Sequence, residues 1–145
     1  MTEKLETIRY TADVVCLRSD YVLLIRRGWE PHKDELALPG GHVDRGETSR
    51  TAAARELLEE TGVRVAAEDL DLIGVYDRPD RDPRGRYVSV AYVVTVPADT
   101  VAQAGDEATA VQWVPLRMQG NLAFDHGEIL ADARRHQLTV GSGRC

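Results

Sequence analysis

The sequence predicts an α/β fold in which helices pack on both faces of a mixed sheet, within one domain spanning residues 1–145. Three observations lead there. Apolar, β-branched runs alternate with turn signals along most of the chain, two amphipathic segments carry helical spacing, and no internal repeat, low-complexity tract or linker divides the chain. Its composition, 43% hydrophobic and 29% charged, is that of an ordinary globular protein.

Taken in order, Ile8 to Leu17 and Tyr21 to Arg26 are strand-like runs separated by Arg18-Ser19-Asp20, which predicts a hairpin. Leu36-Ala37-Leu38 is a short extended piece that enters Pro39-Gly40-Gly41, a turn signal. A helix is expected from about Thr48 to Thr61, with Thr48 or Ser49 as its N-cap and Gly62 as the left-handed residue that ends it. Leu70 to Tyr76 and Tyr87 to Val96 are two further strands, and Val111 to Pro115 a short one. The second helix is expected from Asp125 to Gln137, with Ile129, Leu130 and Ala133 facing inward. The tail VGSGRC is expected to be mobile.

Charge and targeting signals exclude several classes of function. A net charge of −6 argues against non-specific nucleic-acid binding. No segment has the apolar length of a membrane span, and the start MTEKLETIRY has no signal-peptide apolar region, so the expected location is the cytoplasm. Cys16, in an apolar run, is expected as a buried thiol, and Cys145 as an exposed one.

The chemistry concentrates in GHVDRGETSRTAAARELLEETGV, residues 41–63. Glu56, Glu59 and Glu60 are three and four residues apart, which puts their carboxylates on one side of a helix, with Ala54, Leu57 and Leu58 on the other. Like charges at that spacing cost an isolated helix roughly 0.2–0.5 kcal/mol per pair, so their retention points to a cation that neutralises them. Oxygen donors suit Mg²⁺, with Mn²⁺ as the alternative ion, and a substrate that carries phosphate.

This segment resembles the Nudix box, G-x5-E-x7-R-E-U-x-E-E-x-G-U with U aliphatic. It is matched at every specified position by Gly41, Glu47, Arg55, Glu56, Leu57, Glu59, Glu60, Gly62 and Val63. The resemblance implies a Nudix-type α/β/α sandwich and metal-assisted attack of water on a pyrophosphate. It also implies Glu56 and Glu60 as direct metal ligands, Glu59 as a further ligand or base, and the backbone of Gly40 or Gly41 completing the shell. Glu47 and Arg55 are expected to pair and to fix the metal carboxylates. The general base is expected at Glu107, in the loop Ala104-Gly105-Asp106-Glu107-Ala108, or at Glu59.

Downstream, the loop Tyr76 to Arg86 carries four arginines between two strands. Arg78, Arg84 and Arg86, with Tyr76, are the expected substrate contacts, because guanidinium forks match phosphate oxygens. DPRGRYVSVAYVV, Pro79 sixteen residues after Val63, and the AFDH of Ala123 to His126 resemble the ADP-ribose pyrophosphatase subgroup. The expected reaction is therefore ADP-ribose to AMP and ribose 5-phosphate. The alternatives are a Nudix pyrophosphatase for nucleoside triphosphates or dinucleoside polyphosphates, and a non-catalytic ADP-ribose-binding module. An intact box, and only eight residues after Gln137 for any helix-turn-helix domain, favour an enzyme. The expected partner is a small-molecule nucleotide, with no nucleic acid or membrane. Because many relatives are dimers, the resemblance admits a homodimer.

Overall fold

The computed structural model describes residues 4–105, 108–118 and 120–142. Seven strands form one mixed sheet: β1 (Ile8–Arg18), β2 (Tyr21–Arg27), β3 (Leu36–Ala37), β4 (Gly40–His42), β5 (Asp71–Tyr76), β6 (Arg86–Thr95) and β7 (Ala108–Pro115). Helix α1 (Ser49–Thr61) covers one face and α2 (His126–Ser142) the other. The expected α/β/α sandwich is what the chain builds.

Period-two alternation assigns the faces. Ala12, Val14 and Cys16 of β1 and Val90, Tyr92 and Val94 of β6 pack with Ala52, Ala53 and Leu57 of α1. The intervening Val15, Leu17, Ala91 and Val93 pack with Ile129, Leu130 and Ala133 of α2. β1 and β6 run parallel in register from Ile8 opposite Arg86 to Leu17 opposite Thr95, so both strands switch faces together. Cys16 lies within the first cluster, where burial pushes its thiol up to about 12. Cys145 lies outside the described residues.

The site is positioned by a divergence of β1 from β2. The two strands pair through Leu17–Val22 and Arg18–Tyr21, around a two-residue turn in which Ser19 has φ 50°. They then separate, and residues 36–42 fill the wedge. Leu36–Ala37 pairs with β2, the Pro39 carbonyl accepts from Val14 N–H at 2.9 Å, and Gly40–His42 pairs with β1. The Pro-Gly-Gly signal expected to make a turn thus enters a strand. Space decides it, because a Cβ on Gly40 would stand 2.3 Å from the Ala12 carbonyl oxygen.

The element ends differ from expectation in instructive ways. Thr48 caps α1 by accepting from Thr51 N–H, and Gly62, at φ 74°, closes it by donating to the Leu58 carbonyl, both as anticipated. Its buried face, however, centres on Ala52, Ala53 and Leu57, and Leu58 is only half-buried. A 3₁₀ turn at Ala67–Asp69 delays β5 to Asp71. α2 runs on to Ser142, into the tail expected to be mobile, and β7 starts three residues early at Ala108 because β2 supplies a full-length partner.

Candidate active site

α1 presents its acidic side beneath β4, and one arginine organises it. Arg55 donates to both oxygens of Glu47 (Nε–Oε2 3.2 Å, Nη2–Oε1 2.6 Å), to Glu56 Oε1 at 2.9 Å and to Glu59 Oε2 at 3.2 Å. Its Nη2 also donates to the His42 carbonyl at 2.9 Å, which ties the helix to β4. The sequence therefore pairs Glu47 with Arg55 as anticipated, and the same guanidinium also reaches two of the three metal-candidate carboxylates. Hydrogen bonding to Arg55 holds Glu47 below its ordinary pKa, and Glu47 in turn raises that of Arg55.

The other carboxylate, Glu60, is buried at 7% exposure and accepts from Gly40 N–H through Oε1 at 2.9 Å. Burial, opposed by that bond and reinforced by Glu56 and Asp13, pushes Glu60 up to about 9. Burial also raises Glu56, against the pull of Arg55. A Cβ on Gly41 would fall 2.5 Å from Glu56 Cδ, so a larger residue there would push the Glu56 carboxylate out of this position.

As placed, Arg55 draws Glu56 and Glu59 toward itself. Among the described residues no three His, Cys, Asp or Glu side chains stand around one point as a ready-made metal cage. The chemistry of the donor set nevertheless fits a hard divalent cation. The carboxyls of Glu56 and Glu60 lie against a glycine backbone, and burial favours in both the protonated form that a cation would displace.

Beside these acids opens a cavity of about 310 Å³. Its lining includes Glu60, Gly40 and Gly41, the guanidinium-bearing Arg27, Arg81 and Arg84, and the aromatic Trp29, Tyr87 and Phe124. Of the four expected substrate contacts the structure brings Arg84 here and not the other three. Tyr76 ends β5 on the α2 side, where its hydroxyl donates to Asp132 Oδ2 at 2.6 Å, and Arg78 lies next to it opposite Glu128 at 3.4 Å. Arg86 opens β6 and faces Glu6 at 3.4 Å. Strand alternation and the direction of the loop send these three away, and neither is visible in composition. Glu107 lies outside the described residues; just before it, Gly105 N–H donates to the Glu60 carbonyl at 2.9 Å.

Four cavity residues, Arg81, Asp13, His126 and Arg27, had drawn no functional weight. Arg81 forms a buried two-point ion pair with Asp125 (2.6 and 2.9 Å). His126 and Asp13 lie at the cavity floor. Arg27 donates to the Pro31 carbonyl at 2.8 Å and sits 4.7 Å from the Phe124 ring centre. It forms no ion pair with a carboxylate among the described residues, and burial together with neighbouring Arg84 holds its pKa below the ordinary value.

A model of the NUDIX domain matches residues 7–133. The chain belongs to the Nudix family. This Nudix chain is 40% identical over 123 residues to the ADP-ribose pyrophosphatase of Methanocaldococcus jannaschii, covering 85% of itself and 71% of that protein. With that similarity and an intact box, it is a Nudix pyrophosphohydrolase. Its fold superposes with TM-score 0.84 on the NUDIX domain of Shewanella oneidensis NrtR complexed with ADP ribose, at 27% identity, covering 92% of this chain and 90% of that one. It also matches a bifunctional NMN adenylyltransferase/ADP ribose pyrophosphatase from Francisella tularensis complexed with AMP and a Mn ion. There the TM-score is 0.82 and the identity 29%, covering 92% of this chain but 43% of that one. No helix among the described residues is long and apolar enough to cross a membrane.

Proposed function

We propose that this Nudix protein hydrolyses the pyrophosphate of ADP-ribose to AMP and ribose 5-phosphate with the help of Mg²⁺, for which Mn²⁺ can substitute. The observation that carries this reading is one cavity lined both by Glu60 and Gly40 and by three arginines. Similarity to an ADP-ribose pyrophosphatase and to an ADP-ribose-bound domain supports the choice of substrate.

Glu56 and Glu60 would hold the cation, with Glu59 and the Gly40–Gly41 backbone beside them. When bound, such an ion screens phosphate charge and stabilises the leaving phosphate. The chain's own groups do the rest. Arg55 fixes the rotamers of Glu47, Glu56 and Glu59 through four side-chain hydrogen bonds. Arg27 and Arg84 receive phosphate oxygens, and Trp29, 70% exposed at the rim, offers a face for the adenine. For the proton of the attacking water the chain offers Glu107, outside the described residues, and Glu59, whose side chain is 56% exposed beside Arg55.

Arg27 provides the cleaner test of the cationic lining, since replacing Arg84 would strand the buried Asp82 that it pairs with at 2.8 Å. Arg27→Gln removes a guanidinium that makes no direct ion pair among the described residues, although Asp82, Glu60 and Asp13 act on it from a distance. A charge-assisted hydrogen bond contributes about 1.5–3 kcal/mol, so KM for ADP-ribose should rise about tenfold or more, with little change in melting temperature. Unchanged KM and kcat would remove Arg27 from the substrate site.

A further inference from the structure

We propose that Asp13 and the Nε2–H of His126 form a subsite that reads the hydroxyls of a neutral sugar on the far side of the pyrophosphate. This subsite would favour a sugar-capped diphosphate over a chain ending in phosphate. The inference rests on the ADP-ribose reading and names the part of the site that selects the sugar.

On the α2 face, Val15 and Leu17 of β1 and Ala91 and Val93 of β6 are apolar because Ile129, Leu130 and Ala133 cover them. One step back along each strand the row turns polar, to Asp13 and Ser89, then Thr11 and Tyr87. α2 begins at His126, so its cover ends there and the cavity opens over Thr11, Asp13 and Tyr87. Asp13 is 7% exposed, and packing alone gives no return for burying an acid there.

The two groups are held in defined states. Ser89 Oγ donates to Asp13 Oδ2 at 2.5 Å, which leaves Oδ1 toward His126. Leu38 N–H donates to His126 Nδ1 at 3.0 Å, which places the imidazole proton on Nε2. Burial holds the ring's pKa below the ordinary value, with Asp13 and Asp125 raising it and Arg81 and Arg27 lowering it further. Nε2 and Asp13 Oδ1 are 3.7 Å apart, too far to satisfy each other. An acceptor and a donor facing one cavity at that spacing suit a hydroxyl, which donates to the carboxylate and accepts from the imidazole. A terminal phosphate has no proton to give the carboxylate and would meet Asp13 as a like charge.

The test compares KM and kcat for ADP-ribose, for an analogue whose distal ring lacks its hydroxyls, and for ATP, in wild type and Asp13→Asn. A site built to bond a hydroxyl rejects the analogue that lacks it, so wild type should lose about tenfold or more in KM on the deoxygenated ring, with kcat little changed. In Asp13→Asn that gap should close toward unity as ADP-ribose itself weakens, and ATP should lose nothing. If Asp13→Asn does not melt cooperatively, His126→Gln carries the same comparison. Wild type that binds both rings equally, or a variant that keeps the full gap, overturns the subsite. A wild type that turns over ATP faster than either ring overturns the ADP-ribose reading instead, and the paired-ring comparison separates the two failures.

Discussion

Glu60→Gln is expected to lower turnover by roughly two to three orders of magnitude while leaving the fold intact. The amide keeps the acceptor that Gly40 N–H bonds at 2.9 Å and matches the protonated carboxyl in shape. It removes the charge that a cation requires. Stability should show the same logic through pH. The unfolded side chain titrates near 4.5, whereas burial pushes the folded one up to about 9. Between those values the native state binds more protons than the unfolded one, so stability of the metal-free protein falls as pH rises through that window. Glu60→Gln should remove that part of the slope, and should make the metal-free protein no less stable near pH 7. Added Mg²⁺ should raise the wild-type melting temperature more at pH 8 than at pH 6, because it displaces the proton. A fully active variant, or a melting temperature indifferent to the substitution across this range, would contradict the assignment.

Arg55→Ala is the second large effect. It leaves Glu47, Glu56 and Glu59 without the cation that holds them, and frees the His42 carbonyl. Loss of such a supporting group commonly costs about 10–100-fold in metal affinity or activity, and kcat/KM should fall within that range. Arg55→Lys should recover little, because one ammonium cannot fork to Glu47 while also reaching Glu56 and Glu59. Activity of Arg55→Ala within twofold of wild type would show that the carboxylates orient themselves.

Much of the fold was legible because its signals are local. The hydrophobic runs that became β1 and β6 are strands buried on both faces, Thr48 and Gly62 carry helix-cap chemistry, and the Arg18-to-Asp20 break leaves room only for a tight hairpin. The acidic side of α1 was legible for the same reason, since helical spacing alone brings Glu56, Glu59 and Glu60 together. What stayed hidden depends on tertiary neighbours. Gly40 and Gly41 looked like a turn, because nothing in the sequence shows that a strand must pass within touching distance of Ala12 and Glu56. Among the loop arginines, composition cannot tell Arg84, stacked 4.8 Å from the Tyr87 ring centre and held by Asp82, from Arg78 at the surface. Asp13 was read as part of an apolar strand, and its role becomes visible only where α2 ends above it.

The most direct test of the central claim is product analysis with Mg²⁺ on a panel of ADP-ribose, dinucleoside polyphosphates, nucleotide sugars and nucleoside triphosphates. The account predicts that AMP and ribose 5-phosphate form from ADP-ribose faster than any other product. Faster release of pyrophosphate from a triphosphate, or binding of ADP-ribose with no turnover in Mg²⁺ or Mn²⁺, would contradict it.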